Sequence, residues 1–72
     1  MKPIKRRKFV GLLQTEFLVT FVREAKGSHA LYQSPNGRAV IPYYEELSGR
    51  LVIKILKELH IDYDEFVKAL NK

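Results

Sequence analysis

Seventy-two residues carry 13 Lys or Arg against 8 Asp or Glu, a formal net charge of +5, and no Cys. That size admits one domain, residues 1–72, whose small core often leans on a partner or on a homo-oligomer, and the missing cysteines exclude a disulfide scaffold or a thiolate metal site and suit a reducing, cytoplasmic setting. Apolar runs such as Phe17-Leu18-Val19 and Leu51-Val52-Ile53 fall far short of the roughly 20 residues of a spanning helix, so no membrane partner is expected.

The N-terminus is basic from Lys2 to Lys8, but Gln14, Thr15 and Glu16 interrupt the apolar stretch that begins at Phe9, too early for a signal peptide. Pro3 suits the first turn of a helix. Phe9, Leu12 and Leu13 recur at i, i+3 and i+4, with Lys5, Arg6 and Lys8 largely off that face. The spacing predicts an amphipathic helix over 4–15 with a basic outer side, weakened by Gly11. Residues 17–22, Phe17 to Val22, are rich in β-branched and aromatic residues and mostly apolar on both faces, which predicts a central strand. Ala25-Lys26-Gly27 supplies a turn.

Ser28 to Gln33 alternates, with His29, Leu31 and Gln33 on one face and Ser28, Ala30 and Tyr32 on the other. Ser34-Pro35-Asn36-Gly37 is a turn in which Pro sets φ and Asn-Gly accepts positive φ. Arg38 to Ile41 forms a third strand, ended by Pro42, and the short turns imply an antiparallel meander. Ser48 is placed to N-cap a helix over 49–59, in which Leu51, Ile55 and Leu59 form a stripe widened by Val52 and Leu56. His60 at its end suits the late carbonyls and the helix dipole. Asp62 and Glu65 make a capping-box pattern for a short third helix burying Phe66, Val67 and Leu70. The expected fold class is α+β: α-β-β-β-α with an extra short C-terminal helix, a three-stranded antiparallel sheet and helices on one face.

Charge divides unevenly along this order. Residues 1–38 hold eight basic and two acidic side chains, net +6, and residues 39–72 hold five and six, net −1. A basic half implies a polyanionic partner such as nucleic acid or acidic lipid, or else a solvated surface that keeps the chain dissolved. The two histidines, His29 and His60, lack metal-ligand spacing, no Gly-rich phosphate loop occurs, and no nucleophile elbow surrounds a serine. Metal hydrolysis and acyl transfer are therefore not expected, and no metal site is assigned. His29 follows Gly27-Ser28, with Arg23, Lys26 and Arg38 nearby in sequence. An imidazole can move a proton near neutrality, and cations can hold a phosphodiester and its developing charge. RNA supplies its own 2′-hydroxyl nucleophile, so one histidine with phosphate clamps could cleave it. The plain alternative is a polar strand residue facing solvent.

Lys26-Gly27-Ser28-His29-Ala30-Leu31-Tyr32, with Pro35-Asn36-Gly37-Arg38, Val40-Ile41-Pro42 and Leu51-Val52-Ile53-Lys54-Ile55-Leu56-Lys57, resembles the HicA-type (YcfA-like) toxin family. Gly49 and the tail Asp62-Tyr63-Asp64-Glu65-Phe66 extend the resemblance across roughly residues 4–70. It implies a double-stranded-RNA-binding-like fold, a ribosome-independent mRNA interferase activity, no cofactor, and a HicB-type antitoxin as protein partner. It makes His29 the catalytic residue and places Ser28 beside it among the RNA-contacting residues. The chain departs from the family pattern in three places. Glu16 stands where a Gly commonly precedes the aromatic Phe17, Tyr44 stands where a His is frequent, and Glu24-Ala25-Lys26 between Arg23 and Gly27 is longer by one residue.

Two rival expectations share the predicted fold. In one, a non-catalytic RNA-binding module uses Lys5, Arg6, Arg7 and Lys8 on the first helix to track an A-form backbone. In the other, a small protein-interaction subunit uses an apolar strand edge. A DNA-reading helix pair over 49–70 is weaker, because Asp64 and Glu65 would open its recognition helix.

Overall fold

The computed structural model describes residues 1–72. In chain order the elements are β1 (Ile4–Lys5), α1 (Arg6–Glu16), β2 (Thr20–Ala25), β3 (His29–Ser34), β4 (Gly37–Pro42), β5 (Glu46–Leu47), α2 (Gly49–Glu58) and α3 (Tyr63–Leu70). The fold is α+β, with an antiparallel sheet ordered β2-β3-β4 and a separate two-stranded pair β1-β5. No helix is long and apolar enough to cross a membrane.

The pleat of β3 and β4 sets the layers. Ala30 and Tyr32 of β3 and Ala39 and Ile41 of β4 point into one core with Phe9 and Leu13 of α1 and Val52, Ile55 and Leu56 of α2. Phe66 of α3 closes that core, with its ring edge-on to Phe9 at 5.5 Å. All three helices thus contribute to a single face of the sheet. The opposite face carries His29, Leu31 and Gln33 of β3 beside Arg38, Val40 and Pro42 of β4. Ser34, the one buried polar side chain, donates from its Oγ to the Leu59 carbonyl at 2.7 Å and so ties the β3–β4 hairpin to the end of α2.

Local signals placed the two C-terminal helices. Ser48 Oγ accepts from the Leu51 N–H at 3.2 Å, and Asp62 Oδ2 accepts from the Glu65 N–H at 3.0 Å. The first helix is shifted. It begins at Arg6, because Ile4 and Lys5 are extended and pair with Leu47 and Glu46, and the Arg6 N–H goes to the Glu45 carbonyl at 2.9 Å. Pairing lets Ile4 enter the core at 7 % exposure while its backbone stays bonded.

The strand expected over 17–22 and at the centre of the sheet is corrected on both counts. It runs from Thr20 to Ala25 and lies at an edge, with Thr20 through Glu24 all exposed. Phe17 and Val19 are spent in the corner before it, packed on the core, and Leu18 takes φ 57° between them. Val22 has no partner in the ladder, because Phe21 pairs with Tyr32 and Arg23 with Leu31, so the strand bulges there.

Two turn residues also act differently from expectation. Neither Asn36 nor Gly37 has positive φ. Gly37 is needed for space, since a Cβ there would strike the Glu58 carbonyl oxygen of α2. His60 does not satisfy the late carbonyls of α2 with its ring. Its own N–H bonds the Lys57 carbonyl at 3.1 Å and that of Ile61 bonds the Leu56 carbonyl at 2.9 Å, with His60 at φ 57°, which is a Schellman ending.

Gly37→Ala should lower stability by about 1–3 kcal/mol, because the nearest obstructing atom is a backbone oxygen, that of Glu58, with the His60 ring also in the way, and urea denaturation measures it. Leu18→Gly should raise it by about 1 kcal/mol, since Leu18 is 73 % exposed and a glycine removes the left-handed penalty without losing a packed side chain.

Candidate active site

His29 is the first residue of β3, held between two neighbours. Ala25 pairs with it across the β2–β3 hairpin and Pro42 across the β3–β4 ladder. The tight Lys26-Gly27-Ser28 turn before it needs Gly27 at φ 68°. The turn also fixes the imidazole: Nδ1 lies 3.2 Å from the Lys26 carbonyl oxygen. A carbonyl only accepts, so this bond requires the proton on Nδ1. The other nitrogen, Nε2, makes no protein hydrogen bond and keeps its lone pair in the neutral ring.

The half-buried ring lines an open cleft of about 430 Å³ between β4 and α2. Leu31, Val40 and Leu51 supply apolar lining, and Tyr44, Arg38, Lys54 and Glu58 supply polar groups. Leu51, Lys54 and Glu58 form one stripe of α2 at i, i+3 and i+7, beside the buried stripe that anchors the helix. Neither Arg38 nor Lys54 is neutralised by an ion pair; the ion pairs are Lys5–Glu45, Lys68–Glu65 and Lys72–Glu16.

The residues expected to serve the site are distributed as follows. Arg38 lines the His29 cleft, at its far end, with Nε donating to Gln33 Oε1 at 3.2 Å. Arg23 pairs with Leu31, which puts it on the same open face, and its Nη1 donates to the Glu24 carbonyl at 3.2 Å. Lys26 contributes its carbonyl to the His29 ring, and Ser28 contributes its carbonyl to the Tyr43 N–H at 3.0 Å; both side chains are exposed in the turn.

The N-terminal cations lie elsewhere. Lys5 Nζ meets Glu45 Oε2 at 3.2 Å, and Lys5 and Lys8 line a separate groove with Lys2 and α3 residues Tyr63 and Val67. Arg6 is committed to the fold: Nε donates to the Pro42 carbonyl at 2.9 Å, Nη2 donates to the Tyr32 hydroxyl at 3.3 Å, and the guanidinium stacks 4.4 Å from the Tyr43 ring centroid. The Tyr43 hydroxyl in turn donates to the Glu24 carboxylate at 2.9 Å, and that bond above all holds the phenol above its ordinary ionisation range. The expected basic row of Lys5, Arg6, Arg7 and Lys8 is thus split, and none of Lys5, Arg6 or Lys8 lines the His29 cleft.

Sequence reasoning did not mark Lys54 or Glu58 as site residues, and left Tyr44 without a role. For Lys54 and Glu58 the available signal was their position one helical turn apart on the stripe of Leu51. No group of three or more His, Asp or Glu side chains is disposed to hold a metal ion.

Arg6→Ala should cost about 1.5–3 kcal/mol, the range for hydrogen bonds from a charged donor, whereas Arg7→Ala, on the exposed side of α1, should change stability by less than about 0.5 kcal/mol; paired thermal melts compare the two. No family model, curated protein or solved structure matches the chain.

Proposed function

We propose that the protein is a metal-independent endoribonuclease, a HicA-type toxin of a type II toxin–antitoxin system that cleaves mRNA with His29 and is neutralised by a HicB-type antitoxin. The observation that carries this reading is the pinned imidazole. Its Nδ1 is tied to the Lys26 carbonyl, its Nε2 is free, and it borders an open cleft whose cations Arg38 and Lys54 have no acidic partner. The Gly27-Ser28-His29 motif and its neighbours give the same assignment by resemblance.

In this mechanism Nε2 takes the proton from a ribose 2′-hydroxyl while that oxygen attacks the adjacent phosphorus. The bond from phosphorus to the 5′ oxygen breaks, the leaving oxygen takes a proton from water at the open rim, and the imidazolium returns its proton to the hydroxide so formed, which restores the neutral ring. The products are a 2′,3′-cyclic phosphate and a 5′-hydroxyl, with no metal required. The Lys26 carbonyl stabilises the imidazolium formed at the midpoint, because its hydrogen bond to Nδ1–H strengthens as the ring gains charge. Lys54, which lines the cleft, and Arg23, on the sheet face of His29, have no acidic partner and offset the phosphate's charge.

Induced expression should arrest growth for the wild-type chain and not for His29→Ala. With purified proteins, His29→Ala should cut a mixed-sequence RNA at least about 100-fold more slowly, as expected for loss of a general base. A chelator should leave the wild-type rate unchanged. Equal effects of the two chains, or no cleavage by either, would remove the catalytic assignment and leave RNA binding without cleavage as the reading to pursue.

A further inference from the structure

We infer that the far end of the His29 cleft is a base-reading pocket that favours guanine in the nucleotide next to the scissile phosphate, with Arg38 and Glu58 reading the base edges and Lys54 holding the intervening backbone. The inference rests on the ribonuclease reading for its biological meaning, but the binding itself can be tested apart from cleavage.

The cleft has a direction. Gly37, which opens β4, abuts the backbone of Glu58 and Leu59 at the end of α2. Pro42, which ends β4, lines the cleft together with Leu51 near the start of α2. Strand and helix therefore run antiparallel along the groove. His29 pairs with Pro42, so it stands at one end, and Arg38 lies four residues back along β4, about 13 Å away at the usual strand rise. Arg38 is too distant to share the phosphate that reacts at His29. A strand reacting there continues along Val40 and Lys54 and brings its neighbouring base to Arg38 and Glu58.

The chemistry at that end is specific. The Arg38 Nε bond to Gln33 Oε1 orients the guanidinium and leaves its Nη donors free. Glu58 makes no side-chain hydrogen bond and no ion pair, and a carboxylate can only accept. Among the four bases only guanine offers adjacent acceptors, O6 and N7, to an arginine together with adjacent donors, N1–H and the 2-amino group, to a carboxylate. Apolar Val40 and Leu31 line the stretch over which the flat base would lie.

The test uses the His29→Ala protein, so that cleavage does not confound binding. Short oligouridines carrying one central G, A, C or U are titrated by fluorescence polarisation. The G-containing strand should bind about 10-fold more tightly than the others, the scale of one good bidentate contact. Adding Glu58→Gln should abolish that preference while keeping the common affinity, and adding Lys54→Ala should weaken all four strands alike and flatten their salt dependence. Both side chains are exposed, so neither change threatens folding. Equal binding of the four strands, no binding of any, or a preference that survives Glu58→Gln would overturn the inference. In parallel, the wild-type chain is given a mixed-sequence RNA. Cleavage without bias toward G would overturn the pocket and leave the ribonuclease reading intact, whereas G-selective binding with no cleavage would support the pocket and reject the ribonuclease reading.

Discussion

The structure depends on having only enough apolar side chain to cover one face of its sheet. The hydrophobic core is a cluster of 15 buried residues, drawn from both helical ends of the chain and from the inward positions of β3 and β4. Because side chains alternate along a strand, burying Ala30 and Tyr32 obliges His29, Leu31 and Gln33 to the other face. A slip of one residue would put His29 in the core and Tyr32 outside it, and would break the Ser34–Leu59 hydrogen bond that locks the hairpin to α2. The open face that results is a consequence of size. Its cleft forms where α2, packed along β4, leaves one stripe of side chains beyond the core.

That arrangement changes the meaning of the charge. The first half of the chain carries all of the positive excess, yet the cations do not form one surface. Arg6 is a structural cation, joining α1 to the end of β4 and to the aromatic pair Tyr32 and Tyr43, and Glu24 balances the cluster through the Tyr43 hydroxyl. Burial of part of its guanidinium is tolerable because each contact is an oxygen acceptor or a ring face. The cleft instead draws a cation from the nearly neutral second half, Lys54, which α2 delivers across the sheet edge.

The β2 edge is the cost of a three-stranded sheet. Phe21 and Val22 are exposed at 48 % and 41 %, in a strand bonded on one side only. The bulge at Val22 interrupts the regular row of backbone groups that such an edge would otherwise present.

Much of the molecule was legible from the residues alone, and the legible parts share a short range. Caps at Ser48 and Asp62, the stripe of α2 and the two faces of β3 are relations among residues at most a few positions apart, and the chain order α-β-β-β-α-α follows from them. The motif around His29 was equally local, and the turn that pins its Nδ1 lies three residues before it. What the tertiary structure alone decided are the pairings across the chain: Ile4 with Leu47, Arg6 with Pro42, β2 at an edge, and Lys54 and Glu58 facing the same cleft as His29. Hydrophobic period and capping chemistry report on neighbours in sequence. The order of strands, the side on which a helix packs and the partner of a buried cation depend on how the single apolar face is shared among distant segments, and only the assembled core sets that.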